Sequence, residues 1–259
     1  MVEFDGTKAA CIVVPLGVIG FILNLSLAYA VKRSPSFGFA FGSLLFSQMI
    51  ANIGNQIINV VWLGMITLIA PQWHVTYMGK RSGQLLVFFF YASIFTHLLA
   101  AINRALIINY PIKSTQFYDQ TLITKILLIV AWLLAIGLTS VYAIPECSMF
   151  FNPTVFLLNY ADSYCGQLTG RYIDFGISIS VVSLIALIDL ISFICLRRLN
   201  SNPWYVFATT TLIWELGHVL DGLVVFLFNS EVRKIIMCTF RRENRRTVAP
   251  FSVGHSRMT

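Results

Sequence analysis

Residues 9–33 read AACIVVPLGVIGFILNLSLAYAVKR, an uncharged run from Ala9 to Val31 closed by Lys32 and Arg33. A helix needs roughly 20 mainly apolar residues to cross a bilayer, so this stretch is long enough to span one. The whole chain agrees with it. Of 259 residues, 57% are hydrophobic and 11% charged, and the mean hydropathy is +0.77. A soluble domain carries about 25% charged residues, so the solvent this chain expects is lipid. Five further apolar runs follow, giving predicted spans at about 9–31, 38–65, 84–108, 122–144, 172–196 and 204–228. The predicted fold is an all-α, multi-pass transmembrane helix bundle over residues 1–240. An amphipathic helix is expected at 229–240 and a basic, disordered cytoplasmic tail at 241–259. The second apolar stretch, within 38–70, is too short for two crossings and is counted once, tilted or kinked.

Charge sets the expected orientation. With the N-terminus outside, the loops between spans one and two, three and four, and five and six face the cytoplasm. Those loops and their helix ends hold Lys32, Arg33, Arg104, Lys113, Lys125, Arg197 and Arg198, against Lys8, Lys80, Arg81 and Arg171 on the other side. Basic residues favour the cytoplasmic face. Six crossings, however, return the tail to the outside together with Arg233, Lys234, Arg241, Arg242, Arg245, Arg246 and Arg257. The parity is wrong by one helix. The net charge of +7, concentrated in that tail, points to an anionic membrane surface and not to nucleic acid. The N-terminus lacks the basic segment of a cleavable signal, so the first helix is expected to be its own insertion signal. Cys147 and Cys165 flank one polar loop and are the expected disulfide; Cys11, Cys195 and Cys238 lie in or beside the membrane.

The last span contains WELGHVLDG, residues 214–222. Glu215, His218 and Asp221 are spaced three apart and occupy one arc of about 120° on a helix. A di-iron bundle would need a second Glu-x-x-His and two more carboxylates, which the sequence does not supply. It also has no HExxH, nucleophile elbow or phosphate-cradling loop, so neither an enzyme nor a bound metal or cofactor is expected. A transporter or proton-coupled carrier is the rival reading, because His97, Asp189, Glu215, His218 and Asp221 lie at membrane depth. The expected inverted repeats and paired broken helices are missing.

Several stretches, in order, resemble the nematode class x serpentine receptors, seven-helix chemoreceptors distantly similar to rhodopsin-like G-protein-coupled receptors. THLLAAINRALIINYPIKS (96–114) looks like the family's Asp-Arg-Tyr segment, with Asn103, Arg104 and Ala105 in the three places and Pro111 in the following loop. Trp132 in IVAWLLAI matches the span-four tryptophan. CSMFFNPTVFLLNYADSYCGQLTGRYIDF (147–175) looks like the family's external loop and its Tyr-x-Asp-Phe entry to span five. HVLDGLVVFLFNSEVRKII (218–236) resembles the end of helix seven and the turn beyond it. The last span is then helix seven, and helix six has no counterpart between Arg198 and Trp204.

The resemblance implies a plasma-membrane receptor, N-terminus outside, that binds an extracellular small molecule or peptide and couples to a heterotrimeric G protein. Arg104 would be a resting-state latch and G-protein contact, with Asn103 and Pro111 beside it. Because Asn103 replaces the usual acid, the adjacent ion pair cannot form, and the latch must be a weaker neutral hydrogen bond or use another partner. Asn24, Asn52 and Asp221 would form an intramembrane polar switch, while Glu215 and His218 would face a ligand cavity. The Cys147–Cys165 bond would hold a lid over the bundle mouth, stabilised by roughly 3 kcal/mol in chain-entropy accounts. The usual bond from this loop to helix three is not available, since MGKRSGQ (78–84) has no cysteine. Without a sixth helix, the product would be truncated or degenerate.

Overall fold

A computed structural model describes residues 5–33, 38–110 and 121–199. Among them five helices are long and apolar enough to cross a membrane. The expected sixth span, the amphipathic helix and the tail lie outside the described residues.

Helix α1 spans Gly6–Arg33. Its first turn is capped by the Asp5 carboxylate, which accepts from the Thr7 amide at 3.0 Å and satisfies a donor that a helix start leaves open. Helix α2 runs unbroken from Phe39 to Ile69. The stretch Asn59–Ile66 is π-helical. At its start the Asn59 amide donates to the Asn55 carbonyl oxygen and to Asn55 Oδ1, both at 3.0 Å, the kind of back-bonding that loosens a helix ladder. Helix α3 is Tyr77–Asn109 and α4 is Thr121–Ala143. Helix α5 comprises Tyr164–Leu168, a π-helical stretch Thr169–Ile177 and Ser178–Leu199.

Two helices start earlier than the apolar runs that announce them. The third was expected from residue 84 but begins at Tyr77, because Thr76 caps it by accepting from the Gly79 amide at 3.4 Å. Its polar first turns are tied down: the Arg81 guanidinium donates to Gln84 Oε1 at 2.7 Å and to the Ala143 carbonyl oxygen at 3.2 Å. The fifth was expected from residue 172 but begins at Tyr164, where Ser163 Oγ accepts from the Gly166 amide at 2.9 Å. Hydropathy registers lipid contact; caps decide where a helix starts.

The loop between α4 and α5 folds into a hairpin, a small β element in an otherwise helical molecule. Strand β1, Met149–Asn152, pairs antiparallel with β2, Leu157–Tyr160, with Met149 opposite Tyr160. Alternation turns Met149 and Phe151 inward, and both are buried. The turn places Phe156 at φ 56°, an uncommon conformation for a bulky residue. Its buried ring is held edge-on against Phe151 at 4.8 Å. The N-terminus lies at this same end, since the Gly6 backbone abuts the Pro153 carbonyl.

Helix α3 is the axis. Helices α2, α4 and α5 all pack on it, and α1 packs on α2. The core joins Ala51, Val87, Tyr91, Ala92, Ala135, Tyr142 and Met149 from α2, α3, α4 and the hairpin. Ile19 and Ile22 of α1, Leu133 and Leu134 of α4, and Leu187 and Leu190 of α5 stand exposed, as side chains facing lipid tails must. Lipid gives these helices no hydrophobic reason to associate, so close packing and hydrogen bonds carry the bundle.

Between α2 and α3, residues Pro71–Val75 form a short 3₁₀ turn. His74 within it is fully buried, with Nε2 2.9 Å from Thr67 Oγ1 and its ring 4.9 Å from Phe151. Burial lowers the His74 pKa below the ordinary histidine value, so the neutral imidazole is the form this loop holds. The turn folds back so tightly that a Cβ on Gly79 would sit 2.0 Å from the His74 carbonyl oxygen. At Gly54 the added Cβ would instead meet the Phe89 ring edge, which can swing away. Gly79→Ala is therefore expected to destabilise the protein by about 2–3 kcal/mol and Gly54→Ala by less. Thermal unfolding of the detergent-solubilised variants measures the order; a larger loss at Gly54 would contradict it.

Candidate functional site

Polar side chains gather along α3 in three layers. At the hairpin end, one carboxylate collects three phenols. Asp174 Oδ1 accepts from Tyr91 of α3 at 2.8 Å and from Tyr142 of α4 at 2.6 Å, and Oδ2 accepts from Tyr160 of the hairpin at 2.5 Å. Asp174 belongs to α5, so four elements meet at one acid. Burial first, and then the Asp174 charge, push the Tyr160 phenol above its ordinary pKa, which keeps it a donor. The hairpin is also pinned to the start of α5 by the disulfide between Cys147 and Cys165, with Cα atoms 5.0 Å apart, and by Ser163 Oγ, which donates to the Glu146 carbonyl.

In the middle layer the two predicted asparagines of α1 and α2 meet. Asn52 Nδ2 donates to Asn24 Oδ1 at 3.2 Å, and Asn52 Oδ1 accepts from Ser93 Oγ of α3 at 2.6 Å. Gln48 Nε2 lies 3.2 Å from His97 Nδ1. Gln48, Asn52, Asn55 and Asn59 repeat at four, three and four residues, so α2 carries its amides on one face. Trp132 of α4 donates through Nε1 to Ser47 Oγ of α2 at 2.8 Å. Such contacts contribute roughly 0.6 kcal/mol each in membranes; their value lies in fixing which faces of α1 to α4 oppose one another.

The third layer is at the far end. Arg104 of α3 donates through Nη2 to Asp189 Oδ1 of α5 at 2.8 Å, and both side chains are mostly buried, 24% and 19% exposed. The adjacent Asn103 is fully buried and neither of its amide atoms has a hydrogen-bond partner among the described residues. The neutral Asn103 bond considered from the sequence is therefore not what holds Arg104; an acid on another helix does.

The sequence-predicted site thus divides. Asn24 and Asn52 come together, Arg104 finds a cross-helix partner, and Cys147 and Cys165 are joined. Pro111, Glu215, His218 and Asp221 lie outside the described residues. Ser93, Asp174 with its three tyrosines, and the pairing of Asp189 were missed. Ser93 completes the Asn24–Asn52 contact, the tyrosines surround Asp174, and Asp189 had been grouped only with the transporter residues. For Asp189 a signal was present: an acid inside a span needs a partner, and Arg104 is the base near the same end of its helix.

Among the described residues, five apolar helices long enough to cross a membrane, a disulfide-bonded hairpin over one end and buried polar layers along α3 define a polytopic membrane protein. Residues 14–197 and 183–229 match the sequence profile of the serpentine type 7TM GPCR chemoreceptor Srx family, and the chain belongs to that family. It is similar to serpentine receptor class X 45 of Caenorhabditis elegans, with 20% identity over 317 aligned residues, covering 97% of this chain and 86% of that receptor. Serpentine receptor class X-43 of the same organism is 23% identical over 285 residues, covering 91% and 88%.

The Asp174 cluster predicts its own test. Tyr142→Phe and Tyr160→Phe each remove a hydrogen bond to a carboxylate and should cost about 1.5–3 kcal/mol. Tyr172→Phe, whose ring is exposed, should cost almost nothing. Thermal unfolding in detergent ranks the three, and equal losses would contradict the cluster's role.

Proposed function

We propose that the chain is a chemosensory receptor of the plasma membrane, with its N-terminus and hairpin outside, whose resting state is held by the Arg104–Asp189 ion pair. The observation that carries this reading is that pair. It ties α3 to α5 at the end opposite the disulfide, where a G protein would dock on a receptor of this family. The orientation rests on two physical supports. Cys147 and Cys165 are bonded, and disulfides persist in oxidising compartments; the basic loop residues concentrate toward the Arg104 end.

In this reading an extracellular small molecule or peptide rearranges the outer bundle, the α3–α5 contact opens, and Arg104, Asn103 and Pro111 become available to a heterotrimeric G protein. Asn24, Asn52 and Asp221 relay the change through the middle layer, and Glu215 and His218 line part of the ligand cavity. Family membership supports a receptor over an enzyme. Within the described residues, the groups that suggested a transporter have structural work instead: Asp189 is paired with Arg104 and His97 contacts Gln48.

We further propose that this product lacks the sixth crossing. The profile matches in two pieces that overlap over residues 183–197, as happens when a stretch of the family pattern has no residues to occupy it. The alignment to the class X 45 receptor spans 317 positions, yet 97% of this chain is about 251 residues, so about 66 positions of the relative face none here. Those positions are enough for one apolar crossing of roughly 20 residues and its loops. A transcript with an additional apolar segment between codons 198 and 204 would restore the seven-pass plan.

Asp189→Asn tests the latch. In membranes with purified G protein, it should raise ligand-free nucleotide exchange several-fold over the unsubstituted chain. Exchange unchanged by Asp189→Asn, in protein shown to be inserted and folded, would count against Arg104–Asp189 as the restraint on signalling.

A further inference from the structure

Outside the Asp174 cluster, the hairpin and the start of α5 enclose a cleft of about 770 Å³. That is the size of a small-molecule site, which runs from about 300 to 1,000 Å³. Four aromatic residues, Phe150, Tyr160, Tyr164 and Tyr172, line it together with Asp162, and no lysine, arginine or histidine does so among the described residues. Tyr164 and Tyr172 keep 83% and 64% of their surface open. Large rings left uncovered beside an acid offer negative ring faces and a negative charge, with no cation among the described lining residues to answer them.

The walls are fixed by close backbone approaches. A Cβ on Gly166 would fall 2.1 Å from the Ala161 carbonyl oxygen, and one on Gly170 would fall 2.8 Å from the Tyr160 ring. The glycines let the Tyr160 ring lie directly on α5 while its hydroxyl reaches Asp174. The second acid near the cleft is therefore already occupied by three phenols, whereas Asp162 makes no hydrogen bond or ion pair among the described residues. The disulfide at Cys165 closes the loop that carries Asp162, which tethers that exposed acid at the cleft.

We propose that this cleft binds a small organic ammonium, with Asp162 supplying the counter-charge and Tyr164, Tyr172 and Phe150 supplying ring faces. Cation–π attraction accounts for the aromatic lining and the Coulomb term for the single acid. The proposal rests on the hairpin end being the outer face, and it names a ligand class for the receptor reading at a site separate from Glu215 and His218. The same chemistry is carried by a free amine and by the headgroup of a choline lipid.

The full chain in maltoside micelles, which contain no ammonium group, can be titrated with choline and with its uncharged isostere 3,3-dimethyl-1-butanol, read by saturation-transfer NMR. Choline should bind saturably and about tenfold more tightly than the alcohol. Asp162→Asn should weaken choline by about tenfold and leave the alcohol unchanged, while Tyr164→Leu and Tyr172→Leu should each weaken choline by about threefold. Added phosphatidylcholine that displaces choline identifies the headgroup as a source; no displacement identifies a free amine. Equal binding of choline and the alcohol, no saturable binding of choline, or indifference to Asp162→Asn would each overturn the proposal. No G protein takes part, so failure here leaves the nucleotide-exchange result standing, and a silent exchange assay leaves the binding result standing.

Discussion

Polar groups in this bundle can find partners only inside it, because lipid offers none. Arg104 and Asp189 show the constraint at its sharpest. Either charge alone costs on the order of 2.5–3.5 kcal/mol to place deep in a span. At contact distance and an effective dielectric constant near 20, opposite charges recover about 4 kcal/mol. The pair offsets much of that penalty. That dependence fixes which face of α5 meets α3, the pair of helices that Tyr91 and Asp174 also join toward the hairpin.

The hairpin end obeys the same rule with different chemistry. Asp174 is answered by three neutral phenols from three other elements, so an acid is held without a base. The disulfide and the Ser163 contacts fasten the hairpin to the start of α5, and Met149 and Phe151 turn inward beneath it. The hairpin end is thereby tied at several points, while the Arg104–Asp189 pair joins α3 to α5 toward the other end.

The helices were legible in the sequence because apolar length reports lipid contact directly. Their starts at Tyr77 and Tyr164 were not, since these depend on Thr76 and Ser163 caps inside polar loops that hydropathy reads only as breaks. The family resemblance named Asn24 and Asn52 together, whereas Ser93, which joins their contact, is one serine among many without the fold. Asp174 stood in plain view in Tyr-Ile-Asp-Phe, yet its partners lie 14, 32 and 83 residues away, and no local pattern connects them. Asp189 was the nearest miss: sequence marked it as an intramembrane acid and marked Arg104 as needing a partner, but pairing them required knowing that α3 and α5 are neighbours.

The central claim is that Arg104 and Asp189 act as one unit. A double-mutant cycle with Arg104→Gln, Asp189→Asn and the double variant, read by unfolding free energy in micelles, tests it most directly. The account predicts that the double variant loses less than the sum of the singles by at least about 1 kcal/mol, within the range that contacting residues show. Additivity within about 0.3–0.5 kcal/mol, the behaviour of independent sites, would contradict it.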